Sequence, residues 1–139
     1  MRIIGGNFKG KKILEPKDKE TRPLKDLTKE SIFNIINHSN KFSIELEKSY
    51  VLDLFSGTGS FGLECLSRKA KHVCFVENYI GILPILKNNL SNLKTVKNYS
   101  IIEKNILIDI DFLEKKEKFD IIFLDPPSKE TEIHTILKN

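Results

Sequence analysis

The sequence predicts an α/β domain built on a parallel sheet, and three features point there. First, residues 50–55 form a near-continuous apolar run and 72–76 a second, as in strands buried on both faces. Second, weaker strand-like runs follow at 99–102 and 119–124, with helical stretches between, and such alternation makes parallel pairing. Third, the residues of chemical interest, at 53–62, 77, 105 and 125–128, fall at or just past the strands' carboxyl ends, where such sheets bind ligands.

Taken in order, Arg2-Ile-Ile4 and Lys11-Lys-Ile-Leu14 flank Gly5, Gly6 and Gly10, which suggests a small hairpin. Residues 15–26, with Pro16 and Pro23, read as a loop, so 1–26 form a basic arm and 27–139 the main domain. Thr28 is a plausible N-cap for a helix to about His38, with Ile32, Phe33, Ile35 and Ile36 as its apolar face. A polar or weakly helical connection spans 39–49. The first strand ends in a Gly-rich turn, then a helix from about Ser60 to Lys69. The second strand is closed by Glu77, and a helix runs on to about Leu93 with Pro84 in its first turn, where proline is tolerated. After Asn105 a helix extends to about Lys116. The fourth strand leads into Asp125-Pro126-Pro127-Ser128 and a last short helix.

The 139 residues, 40% of them hydrophobic, suffice for one domain and not two. No apolar run reaches the roughly 18 to 20 residues of a membrane span, and the N-terminus does not read as a secretory signal; a soluble, cytoplasmic, monomeric protein is expected. Cys65 and Cys74 fit no metal-ligand spacing and read as buried thiols, and His38, His72 and His134 form no cluster, so no metal is expected. The formal net charge is +4 and the pI about 9.0, which suggests a polyanionic partner. A Lys-, Ile- and Asn-rich composition weakens that signal, and distribution carries more. Before residue 30 stand Arg2, Lys9, Lys11, Lys12, Lys17, Lys19, Arg22, Lys25 and Lys29 against four acids, and two of the three arginines are there.

Asp53-Leu-Phe55-Ser56-Gly57-Thr-Gly59-Ser-Phe-Gly62 holds G-x-G-x-x-G between a strand and a helix, with acidic Glu77 ending the next strand. Gly57 and Gly59 allow a sharp turn and close approach to a ligand, and Gly62 allows tight helix–strand packing. A carboxylate at Glu77 can accept hydrogen bonds from ribose hydroxyls. Either a dinucleotide or S-adenosylmethionine fits a nucleoside held this way. Asp53 favours the second, because it would repel a pyrophosphate and welcome ammonium and sulfonium groups.

Asp125-Pro126-Pro127 follows the fourth strand directly. Consecutive prolines stiffen the chain and offer carbonyls without N–H groups. Acceptors at Asp125 and the Pro126 carbonyl would orient an exocyclic amine for in-line attack on a methyl group, which is mainly a matter of positioning. Read alone, the same residues make a helix-entry turn.

Together, Asp-x-x-x-Gly-x-Gly at 53–59, Glu77 and Asp-Pro-Pro at 125–127 resemble the amino-methylating class I methyltransferases. Arg2-Ile-Ile-Gly-Gly6 with Gly10, Thr21-Arg22-Pro23 and Lys29-Glu30-Ser-Ile-Phe33-Asn34 narrow the resemblance to the bacterial 16S rRNA guanine-N2 methyltransferases of the RsmD type, across essentially the whole chain. The resemblance implies a Rossmann-like fold and transfer of a methyl group from S-adenosylmethionine to a guanine amine in small-subunit rRNA, free or in an assembling subunit. By motif, Asp53, Phe55, Ser56, Gly57 and Gly59 would line the methionine end of the cofactor. Glu77 would hold the ribose, Asn105 would lie near the adenine, and Asp125, Pro126 and Pro127 would form the catalytic corner. Arg2, Lys9, Lys11, Lys12 and Arg22 would meet RNA phosphates.

Two departures stand out. Ser128 occupies the position of a base-stacking aromatic, which predicts weak base capture unless another ring, such as Phe61, substitutes. The family's sheet has seven strands, whereas about four are expected here, so a truncated chain with strand 119–124 as an exposed edge is expected. Three alternatives to the rRNA enzyme remain: an inactive RNA-binding module, an amino-methyltransferase acting on DNA adenine or protein, and a dinucleotide-binding oxidoreductase, which would leave Asp125-Pro126-Pro127 unexplained.

Overall fold

A computed structural model describes residues 1–17, 24–38, 44–104 and 119–125 of the chain. Helix α1 spans Asp26–His38, followed by strand β1 (Tyr50–Leu54), α2 (Ser60–Ser67), β2 (His72–Val76), α3 (Leu83–Ser91), β3 (Tyr99–Ile102) and β4 (Ile121–Leu124). The sheet order is β3-β2-β1-β4, all pairs parallel. The expected α/β fold is present, and the four strands lie where the apolar runs put them. The helices expected at 105–116 and after Ser128 lie outside the described residues.

The order follows from burial. β1 and β2 are apolar on both faces and bury four of their five residues each, so they take the centre. β4 pairs with β1, and its Ile122 is 60% exposed. One sheet face carries Val51, Val73 and Phe75 against Phe61, Leu63, Leu86 and Leu90 from α2 and α3. The other carries Leu52, Leu54, Cys74 and Val76. Gly62 sets the distance between α2 and the sheet: a Cβ there would lie 2.2 Å from the Phe75 ring, so only glycine lets the helix sit this close.

The arm is smaller than a two-stranded hairpin. Arg2 and Lys12 form one antiparallel bridge, flanked by Ile3 N–H to Lys11 O (2.9 Å) and Ile13 N–H to Met1 O (3.0 Å). Ile3 and Ile13 are buried in the same core as α2 and α3.

α1 differs from expectation in two ways with one cause. It begins at Asp26 rather than after a Thr28 cap, with Lys29 N–H already bonded to Lys25 O at 2.9 Å. Ile35 is exposed, not on the apolar face. The buried stripe is instead Lys29, Ile32, Phe33 and Ile36, which i, i+3 and i+4 spacing brings onto one side. Lys29 has to face inward, so the helix must already be formed there.

Candidate functional site

The strand order reverses beside β1. The chain runs β1, β2, β3 outward in one direction and then returns to place β4 on the opposite side of β1. A crevice opens at such a switch point, beyond the carboxyl ends of the two strands. Leu54 pairs with Leu124, so Phe55 at the mouth of the glycine turn and Asp125 leave the sheet at the same level.

Within the turn, Gly57 and Gly59 have φ of +59° and +87°. A Cβ on Gly59 would also lie 2.6 Å from Leu86. Phe55, at φ +56°, holds the left-handed conformation without being glycine, which costs roughly 1 to 2 kcal/mol. Its ring packs with the Leu52, Leu54, Cys74 and Val76 cluster.

Three of the glycine amides are already engaged. Gly57 N–H donates to Glu77 Oε1 at 2.8 Å, and Gly59 N–H to Ser56 O at 2.8 Å. Gly62 N–H, in the first turn of α2, donates to Asp53 Oδ2 at 3.2 Å. Two of these three acceptors are carboxylates, so the turn presents acceptors and latent negative charge to a ligand. An incoming pyrophosphate would need those same donors. Glu77 Oε2 accepts from Asn78 N–H and Tyr79 N–H, at 3.1 and 3.0 Å. Its Oε1, with one bond from Gly57, keeps a lone pair for another donor.

Asp53 lies on the face covered by α2 and is fully buried. Burial pushes its carboxyl up to about 8, against a partial lowering by the Gly62 bond; the charges of Glu77 and Asp125 push it further up. Glu77 and Asp125 follow directly on Val76 and Leu124, the partners of Leu54 in β2 and β4, so all three acids belong to the carboxyl ends of adjacent strands. Ser56, expected at the cofactor, uses its hydroxyl to tie two strand ends: Oγ donates to Asp53 O (2.6 Å) and accepts from Val76 N–H (3.1 Å).

Other sequence-derived positions divide clearly. Arg2, Lys9, Lys11 and Lys12 are exposed on the arm. Asn105, Arg22, Pro126, Pro127 and Ser128 lie outside the described residues. Phe61 cannot substitute for an aromatic at 128, because it is 3% exposed and stacks between Phe33 (5.2 Å) and Phe123 (4.0 Å between centroids). Lys29 is not part of a basic surface either. It is 0% exposed, and its Nζ donates to Arg2 O (2.9 Å) and Ser60 Oγ (3.1 Å) and lies 3.3 Å from the buried Glu64 Oε1. Burial lowers its pKa, opposed by Glu64.

Sequence reasoning passed over three positions: Lys29, Glu64 and Asn89. Asn89 falls at i+3 from Leu86 on the buried side of α3, and a polar residue on an apolar stripe is the signal that marks it. Lys29 carries the same signal, four residues before Phe33.

The family model described as "Conserved hypothetical protein 95" matches residues 1–139. The chain is 35% identical over 138 residues to "Putative rRNA methyltransferase YlbH" of Bacillus subtilis, covering 99% of this chain and 72% of that one. It is 37% identical over 131 residues to "Ribosomal RNA small subunit methyltransferase D" of Haemophilus influenzae, covering 91% and 63%. The chain belongs to the RsmD family. As a member it shares the family's Rossmann-like fold: "Putative methyltransferase yhhF" from Escherichia coli superposes with a TM-score of 0.77 at 30% identity, over all of this chain and 72% of that one. It is therefore a methyltransferase-family chain spanning roughly two thirds of its relatives' length. Among the described residues, no helix is long and apolar enough to cross a membrane.

Proposed function

We propose that the chain binds S-adenosylmethionine at the glycine turn and transfers its methyl group to the exocyclic N2 of a guanine in small-subunit rRNA. The observation that carries this reading is the engagement of the turn amides by Glu77, Ser56 and Asp53, which leaves an acceptor-lined, acidic crevice. Such a crevice suits a cationic ligand with hydroxyl groups and opposes a pyrophosphate. The donor set therefore fits this cofactor, which supplies an electrophilic methyl group on a sulfonium.

Each residue then has a role set by its chemistry. Asp53, ionised by a nearby cation, holds the charged end, and Glu77 accepts from ribose hydroxyls with its remaining lone pairs. Asp125, level with the turn across the β1–β4 pair, accepts a hydrogen bond from the target amine. With Pro126 and Pro127 it orients a nitrogen whose lone pair is otherwise delocalised. Exposed Arg2, Lys9, Lys11 and Lys12 hold phosphates, aided by Arg22. The polyanionic partner of a methyltransferase of this family is then rRNA, which the names of the relatives support.

The test is transfer of labelled methyl from S-adenosylmethionine to 16S rRNA, or to subunit particles, followed by nucleoside analysis. Methylated guanine at N2 is expected, with Asp125→Ala lowering kcat about 100-fold through lost positioning. Methyl incorporated into adenine, DNA or protein would refute the substrate assignment, and no donor binding would refute the whole reading.

A further inference from the structure

Two buried polar bridges join the arm to the two sides of the glycine turn. Asn89 is 3% exposed and satisfied on both ends of its amide. Its Oδ1 accepts from Leu14 N–H (2.8 Å), and its Nδ2 donates to Leu14 O (3.2 Å) and to Thr58 O (2.9 Å). The side chain thus pairs with Leu14 as a neighbouring strand would, while gripping the residue between Gly57 and Gly59. The peptide joining Thr58 to Gly59 is fixed at both ends, its carbonyl by Asn89 and its N–H by Ser56 O. On the far side, Lys29 Nζ joins Arg2 O to Ser60 Oγ, two residues from Thr58. Arg2 and Lys12 pair across the arm, so both of its chain segments are tied to one short stretch of the turn.

We infer that Asn89 is a positioning residue that locks the glycine turn to the arm, so that RNA held on the arm and methyl donor held in the turn raise each other's affinity. The inference rests on the proposed function above, and the coupling follows from order. The two glycines flanking Thr58 make the turn the most conformationally free segment of the site, and an amide anchored to the arm removes that freedom. A ligand that immobilises the arm lowers the cost of ordering the turn for the second ligand, and linkage makes the effect equal in both directions.

The test is a thermodynamic box on the full chain. The affinity of S-adenosylhomocysteine, which cannot be turned over, is measured by calorimetry with and without a 16S rRNA transcript, and RNA affinity with and without S-adenosylhomocysteine. The parent chain is expected to show the same factor both ways, roughly fivefold or more. Asn89→Ala is expected to bring that factor close to one, while RNA affinity measured alone, carried by the exposed arm cations, stays within twofold. A merely structural role would weaken all four affinities together and leave the factor intact, and that result overturns the inference. As a readout independent of any variant, RNA alone should slow amide exchange at Gly57 and Gly59 in the parent chain; unchanged exchange counts against the lock. A parent chain that binds both ligands with a factor of one overturns this inference alone. A parent that binds neither overturns the proposed function, and the inference falls with it.

Discussion

Asp53 offers the sharpest quantitative test, because its burial sets stability and ligand binding against each other. In the folded chain its carboxyl is pushed from an ordinary 3.8 up to about 8, chiefly by burial. The unfolded chain loses this proton near pH 4 and the folded chain near pH 8, so between those values the folded state binds more protons. Stability must therefore fall as pH rises through that window and level off above it. Relative to an uncharged isostere the cost is about 4 kcal/mol at pH 7. Asp53→Asn keeps an acceptor for Gly62 N–H and removes that cost, while its new NH2 group forfeits about 1 to 3 kcal/mol if unpartnered. A net gain of about 1 to 3 kcal/mol at pH 7 is expected.

Urea unfolding of parent and variant from pH 5 to 8.5 reads this directly, their difference widening by about 4 kcal/mol across the range. Binding follows the opposite course. If the ionised carboxylate meets the cation, donor affinity of the parent should rise about tenfold per pH unit up to pH 8 and then flatten, with nearly one proton released per donor bound at pH 7. Calorimetry in two buffers of different ionisation enthalpy counts that proton. Asp53→Asn should bind weakly and without pH dependence. A parent whose stability and donor affinity are both flat between pH 5 and 8 would refute the assignment of Asp53.

Three further outcomes follow from packing and chemistry. Gly62→Ala drives a methyl group into the Phe75 ring and should cost about 1 to 3 kcal/mol in chemical unfolding; a neutral effect would mean that α2 can lift from the sheet freely. Lys29→Ala removes one partner of the buried Glu64, which keeps Arg68 and the Ile4 and Gly5 amides, and leaves Arg2 O and Ser60 without theirs, so it should lower stability by about 1 to 3 kcal/mol. Faster proteolysis of the arm should accompany that loss, and an intact melting temperature would contradict the bridge. Ser128→Phe restores a stacking ring and should increase methyl transfer, chiefly through KM for RNA, by up to the roughly 1 to 3 kcal/mol of one stacked base; an unchanged KM would show that base capture does not depend on position 128.

Much of the fold could be read from one-dimensional pattern because the sheet is buried on both faces. Near-continuous apolar runs announce β1 and β2, and the residues ending them announce the turns. Positions that act through distant partners were not legible in that way. Lys29 counts as one more cation in a basic stretch until Arg2 O, Ser60 and Glu64 are seen around it. Asn89 reads as a polar interruption of α3 until its amide is found between Leu14 and Thr58. Ile35 fails for the complementary reason: its apolar side chain suggests the core, although helical phase exposes it and buries Lys29 instead. Phe61 failed likewise, since its neighbours Phe33 and Phe123 come from α1 and β4, and no local pattern shows a ring to be enclosed.

The glycine pattern itself is ambiguous between ligands of opposite charge, and the ownership of the amides is what supports the proposed cationic one. With Gly57, Gly59 and Gly62 donating to Glu77, Ser56 and Asp53, the start of α2 is already occupied by the Asp53 carboxyl before any ligand arrives. A chain of net charge +4 thereby keeps a local acidic crevice at the β1–β4 switch point while four exposed cations, Arg2, Lys9, Lys11 and Lys12, sit on the arm. On the proposed reading this separation assigns the two charged features of the substrates to different places. Phosphates are drawn to Arg2, Lys9, Lys11 and Lys12 and repelled from Glu77 and Asp125, so an uncharged base can reach the crevice only by being extended away from its backbone. The methyl donor displaces the Asp53 proton as its cation binds, so it leaves the net charge of the crevice nearly unchanged at pH 7. The mutual support of donor and RNA is therefore expected to rest on the Asn89 anchor, and salt tests this. Screening weakens RNA binding itself and leaves the coupling factor unchanged, whereas a factor that fades with salt would contradict an anchor-borne coupling.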